Sequence, residues 1–213
     1  MSTYCESGIG LFSTQPINTI SNIAIIISAL FAYKLIESHH IKNITIRILP
    51  VLLAATGIGS MFWHGIPSLL TNFADVLPLS IFVLVSFFFL LDKILSKRSL
   101  VWIAIILFMF INAPFVLGIL PSLNGFIPYL FILSLGFTML FALAKKYKTL
   151  TPNLTLIVIL FAIALFFRTI DLAVCSIISI GTHFIWHILN ALMFYLFVYA
   201  FIRIEQTNKP RVI

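Results

Sequence analysis

The chain has 213 residues, of which 62% are hydrophobic and 9% charged, with a net charge of +7 and a mean hydropathy of +1.17. An average soluble domain carries about 25% charged residues, so this chain lacks the polar surface that a water-soluble fold presents. The basic excess also gives no case for nucleic-acid binding, because Lys and Arg fall in short clusters between long apolar runs.

A helix needs about 20 mostly apolar residues to cross the hydrocarbon, and lipid-exposed backbone must hydrogen-bond within its own segment. Before the first apolar run, MSTYCESGIGLFSTQP holds no Lys or Arg and one Glu. A signal peptide needs a basic start, so the run that follows is expected to be a retained helix. The apolar runs predict seven membrane-spanning helices, in order Ile17–Ile36, Ile46–His64, Asp75–Leu91, Leu100–Leu120, Phe126–Ala144, Leu154–Ala173 and Thr182–Ile204. The expectation is an all-α integral membrane bundle forming a single domain over residues 1–213. Neither an internal repeat nor a low-complexity linker is visible.

Charge sets the orientation, since cytoplasmic loops carry the Lys and Arg excess. Lys34, Lys42 and Arg47 bracket the first loop; Lys93, Lys97 and Arg98 the third; Lys145, Lys146 and Lys148 the fifth; Arg203, Lys209 and Arg211 the tail. These are twelve of the 13 basic residues. The N-terminus (1–16) is therefore expected outside and the tail (205–213) in the cytoplasm, which requires an odd number of spans. The remaining cation, Arg168, stands near the outer end of the sixth helix with Asp171 one turn away. The two are expected to form an i, i+3 ion pair.

Polar residues gather at the outer ends of the helices. His64 closes the second helix in GSMFWHG, with Ser60 one turn deeper on the same face. Asp75 is expected to open the third helix. His183 and His187, four apart in THFIWH, are expected to open the seventh with both imidazoles on one face. Glu6, Cys5, Asn18 and Cys175 belong to the same side. His39 and His40, in the first inner loop, are read as solvated. Ionisable residues within a membrane are costly and face the bundle interior, so each marks a candidate site.

Three imidazoles with one open position suit a catalytic zinc site. Zinc acidifies water, Asp75 is placed to act as general base, and Ser60 to hydrogen-bond a developing oxyanion, a constellation that points to hydrolysis. The 22 Phe are read as lipid-facing and core packing.

The blocks YCE and PINTISN, GSMFWH and ADVLP, FRTIDLAVC and GTHFIWHILNA resemble, in order, those of the alkaline ceramidase family, in particular its compact bacterial-type members, within the superfamily that includes the progestin and adipoQ receptors. The resemblance implies a seven-helix amidase in which His64, His183 and His187 bind zinc and Ser60 and Asp75 act beside it. It implies as substrate a ceramide or related N-acyl sphingoid lipid, cleaved to a long-chain base and a fatty acid in sphingolipid metabolism. A receptor-like zinc protein that binds lipid without turnover is the alternative; Ser60 and Asp75 lean toward an enzyme. A transporter would show ionisable residues at mid-membrane and repeated halves. Family members place one cysteine in the N-terminal motif and one before the last helix, so Cys5 and Cys175, both expected outside, are expected to form a disulfide.

The family's calcium site is not carried over whole. Tyr4, Cys5 and Glu6 stand for its Trp-Cys-Glu motif, Thr3 precedes them instead of an acid, and Gln15 stands where a second acid is expected. Glu6 alone would support at most a weak calcium site, so activity without calcium is expected. The expected location is a bacterial cytoplasmic membrane with the site facing outward. The expected partners are the bilayer and its lipid substrate, with no protein or nucleic acid.

Overall fold

In a computed structural model of the chain, the described residues are 4–6, 14–95, 102, 106, 109 and 126–207. Among them all regular secondary structure is helical, with no strand. Helices α1 (Pro16–Ser21) and α2 (Ile23–Ser38) form one span, α3 (Ile44–Arg47) and α4 (Leu49–Gly65) a second, and α5 (Leu69–Ile94), α6 (Phe126–Lys146), α7 (Thr151–Ile170) and α8 (His183–Thr207) the others. Six helices among the described residues are thus long and apolar enough to cross a membrane. The expected span Leu100–Leu120 lies outside the described residues, apart from Trp102, Ile106 and Met109, which are helical.

Local chemistry explains where the helices start and break. Pro16 begins α1, at a position where a missing N–H leaves nothing unsatisfied. The first span breaks at Asn22, whose side-chain amide donates to the Asn18 carbonyl at 2.8 Å. Ser68 and Thr71 start α5 with a capping box: Ser68 Oγ accepts from the Thr71 N–H at 3.1 Å, and Thr71 Oγ1 accepts from the Ser68 N–H at 2.8 Å. That cap starts the helix well before Asp75. The expectation that Asp75 opens it is therefore corrected: Asp75 lies about two turns inside α5.

This longer α5 holds Pro78, which has no N–H for the carbonyl of Ala74. Gly59 of α4 faces that carbonyl so closely that an added Cβ would collide with it, and would lie 2.8 Å from the Asp75 nitrogen. Backbone thus meets backbone where α4 and α5 cross. The next residue on each helix is a candidate site residue: Ser60 follows Gly59 and Asp75 follows Ala74.

Among the described helices, neighbours run in the order α5, α4, α2, α8, α7, α6. Ala32, Ile36, Leu53, Ala164, Val198 and Phe201 fill the dry centre, while Leu30, Phe31, Val51 and Phe141 face outward as lipid-facing residues do. At the end of the bundle away from the histidines, Arg47 pairs with Glu37 at 2.7 Å and Lys93 with Glu205 at 3.5 Å.

Candidate metal centre and adjoining cavity

His64 lies in the last turn of α4, His183 is the first residue of α8, and His187 is one turn further on. All three are buried, and one ligating atom from each lies within 4.8 Å of the others. Ring centroids are 5.2 Å apart for His64 and His183, 4.9 Å for His64 and His187, and 4.6 Å for His183 and His187.

Supporting hydrogen bonds select the tautomers. Gln15 Oε1 is 2.6 Å from His64 Nδ1, and an amide oxygen can only accept, so Nδ1 carries the proton and Nε2 keeps its lone pair. Ser21 Oγ donates its only proton to the Asn18 carbonyl at 2.9 Å. Towards His187 Nδ1, 2.7 Å away, it can therefore only accept, which again leaves Nε2 as the base. Metal-binding imidazoles are held in this way by a second polar group on the other nitrogen. His183 packs against Tyr4 at 4.0 Å between centroids. Its Nδ1 is buried without a hydrogen-bond partner among the described residues. Two oriented imidazoles beside a third with an unsatisfied nitrogen fit a metal ion such as zinc.

Gln15 reaches His64 because the N-terminal segment closes over the end of α4. The Thr14 N–H donates to the Gly65 carbonyl and the Gln15 N–H to the His64 carbonyl, both at 3.1 Å. Glu6 is buried and caps α1 from outside it: Oε1 accepts from the Ile17 N–H at 2.7 Å and Oε2 from the Asn18 N–H at 2.8 Å.

Cys5 and Cys175 are joined in a disulfide, as expected, with their Cα atoms 5.2 Å apart. Beside it, Asp171 is fully buried and takes a different role from the expected ion pair with Arg168. Its Oδ1 accepts from the N–H groups of Thr182 and His183 at 2.7 and 2.9 Å, and its Oδ2 from the Cys5 N–H at 3.0 Å. One carboxylate thereby satisfies orphan donors at the start of α8 and ties them to the N-terminal segment. Gly181, at φ 66°, leaves room for this: an added Cβ would strike Asp171 Oδ1 and lie 2.7 Å from Cys5 Cβ.

Arg168 points the other way. Its guanidinium carbon lies 5.9 Å from the ring centroid of Tyr4, 5.2 Å from that of Tyr129 and 5.3 Å from that of Trp186. These residues share a cavity of about 210 Å³ with the three histidines, Ser60 and Asp75. Ser60 and Asp75 line this cavity from the two sides of the α4–α5 contact. An apolar cavity of about 140 Å³ adjoins it, with Leu79, Tyr129, Trp186, Asn190 and Phe194 in both walls.

The structure therefore brings together His64, His183, His187, Ser60 and Asp75, and sets Glu6, Cys5, Cys175 and Asp171 in the supporting layer. Sequence reasoning missed Gln15 and Ser21 as supports and Arg168 as part of the cavity wall. Their common depth with the histidines is the signal that could have found the first two, since a ligating imidazole requires a partner on its second nitrogen.

The profile of the family described as Ceramidase matches residues 4–211, nearly the whole chain, and the chain belongs to that family. Membership implies a hydrolase acting on amide bonds. A comparison with curated proteins finds no match.

Proposed function

We propose that the protein is a zinc-dependent amide hydrolase embedded in the membrane, cleaving ceramide or a related N-acyl sphingoid lipid into a long-chain base and a fatty acid. The observation that carries this reading is the triad of buried histidines, two of them held by Gln15 and Ser21 in the tautomer that leaves Nε2 as ligand. His64, His183 and His187 would hold the zinc. When bound, zinc supplies Lewis acidity that polarises a carbonyl and acidifies water near neutral pH.

The chain's own residues divide the remaining work. Asp75 accepts a proton from the attacking water and returns it to the departing amine. Ser60 hydrogen-bonds the amide oxygen as negative charge develops there. Ser60 and Asp75 each follow directly on the Gly59–Ala74 backbone contact and line one cavity, which supports their acting together. The adjoining apolar cavity takes an acyl chain while the amide lies among the polar groups. Glu6 belongs to the capping of α1 in this reading, and calcium has no part in the chemistry.

The bundle has seven spans in this proposal, forms one domain over residues 1–213 and places the site at the outer face of a bacterial cytoplasmic membrane, with the tail inside. The basic clusters support that orientation. The test is release of fatty acid from a panel of N-acyl lipids by purified protein. Activity lost to a zinc chelator, restored by zinc and indifferent to a calcium-selective chelator supports the reading. Lipid binding without release would favour a receptor-like protein.

A further inference from the structure

Arg168, in the last turn of α7, is the only Lys or Arg in the cavity wall among the described residues. A charged side chain within a membrane-spanning helix is costly to keep there and marks a functional position. Three aromatic rings from three separate elements gather round it: Tyr4 from the N-terminal segment, Tyr129 from α6 and Trp186 from α8. Tyr4 also hydrogen-bonds it. Rings attract the faces of a guanidinium, whereas its N–H groups point outward in the plane, the arrangement that meets a flat carboxylate with two parallel hydrogen bonds.

Charge in the cavity favours the same ligand. The acid nearest in sequence, Asp171, gives both oxygens to backbone N–H groups. The acid that shares the cavity wall is Asp75, assigned above to proton transfer. Once a divalent ion occupies the histidines, that ion and Arg168 together outweigh the single carboxylate of Asp75. An anionic ligand reduces the imbalance.

We propose that Arg168 forms a carboxylate-binding subsite of this cavity. Resting on the hydrolase reading, it has two candidate ligands. Adding water across the amide breaks the C–N bond, passes a proton to the amine and leaves the acyl carbon as a carboxylate beside Arg168. Alternatively the substrate's headgroup brings a carboxylate of its own.

The test is binding, measured on zinc-loaded protein in detergent with a sixteen-carbon fatty acid and the alcohol of the same length. The wild type should prefer the acid. Arg168→Gln should lose at least about tenfold of that preference, with unchanged zinc content and unchanged affinity for the alcohol, and Arg168→Lys should recover part of it. Hydrolysis of an N-acyl glycine against a neutral N-acyl ethanolamine separates the sources: a preference for the glycine conjugate that Arg168→Gln erases assigns the headgroup, and equal rates assign the released acid. A preference for the acid that survives Arg168→Gln would overturn the proposal, as would equal weakening of acid and alcohol, which would make Arg168 a packing residue. Because binding needs no turnover, absence of amide hydrolysis would sink the enzyme reading while leaving the subsite to be judged on its own.

Discussion

The two ends of the bundle use similar residues in opposite ways. At one end His39 and His40 sit in a loop, His39 within 3.2 Å of the Gln206 amide and His40 exposed, beside the partly exposed Arg47–Glu37 pair. At the other, three histidines are buried, two are held by a dedicated acceptor, and Glu6 and Asp171 in the layer behind them cap helices through backbone N–H groups. Groups that water can reach need no fixed partner, and their pairing contributes little. Groups removed from water require partners in fixed geometry, and that requirement builds a site.

The comparison can be broken most severely at the metal ligands. His187→Ala should abolish both zinc binding and hydrolysis while the helices stay inserted, whereas His40→Ala should change neither; metal analysis and circular dichroism of the two variants decide this. Next come Asp75→Asn and Ser60→Ala, which should lower turnover by about 10² to 10⁴ with zinc retained. If either variant keeps full activity, that residue has no part in the chemistry.

The supporting layer should show intermediate effects. Gln15→Ala and Ser21→Ala should each weaken zinc affinity by about 10- to 100-fold, measured by competition with a chelator. Reducing the Cys5–Cys175 disulfide, or replacing Cys175 with Ser, should cost about 2–5 kcal/mol of stability. Thiol labelling of unreduced, denatured wild type should find neither cysteine free. The smallest change belongs to the opposite end: Glu37→Gln should alter stability by no more than about 1 kcal/mol. A larger loss there would mean that the two ends are not as different as the burial pattern indicates.

Much of this arrangement was legible in the sequence because it rests on local periodicity. The four-residue spacing of His183 and His187, and of Ser60 and His64, fixes a shared helical face whatever the rest of the chain does. The long apolar runs likewise mark spans independently of packing. The start of α5 falls earlier than Asp75 because Ser68 and Thr71 cap each other and begin the helix there, a side-chain pairing that hydropathy does not register. The supports were harder to see. Gln15 meets His64 across 49 positions of sequence, and Ser21 meets His187 across 166. Arg168 and Asp171 look like an ion pair at their spacing, yet the nearby backbone donors of Cys5, Thr182 and His183 claim the carboxylate. Competition of that kind is decided by tertiary packing.

The central claim is that His64, His183 and His187 together hold a zinc ion, and elemental analysis of protein purified without added metal tests it most directly. The account predicts about one zinc per chain in the wild type, the number a three-histidine centre holds, and none in His64→Ala or His183→Ala. Wild-type protein that is active without stoichiometric metal, or zinc that stays bound after a histidine is removed, would contradict it.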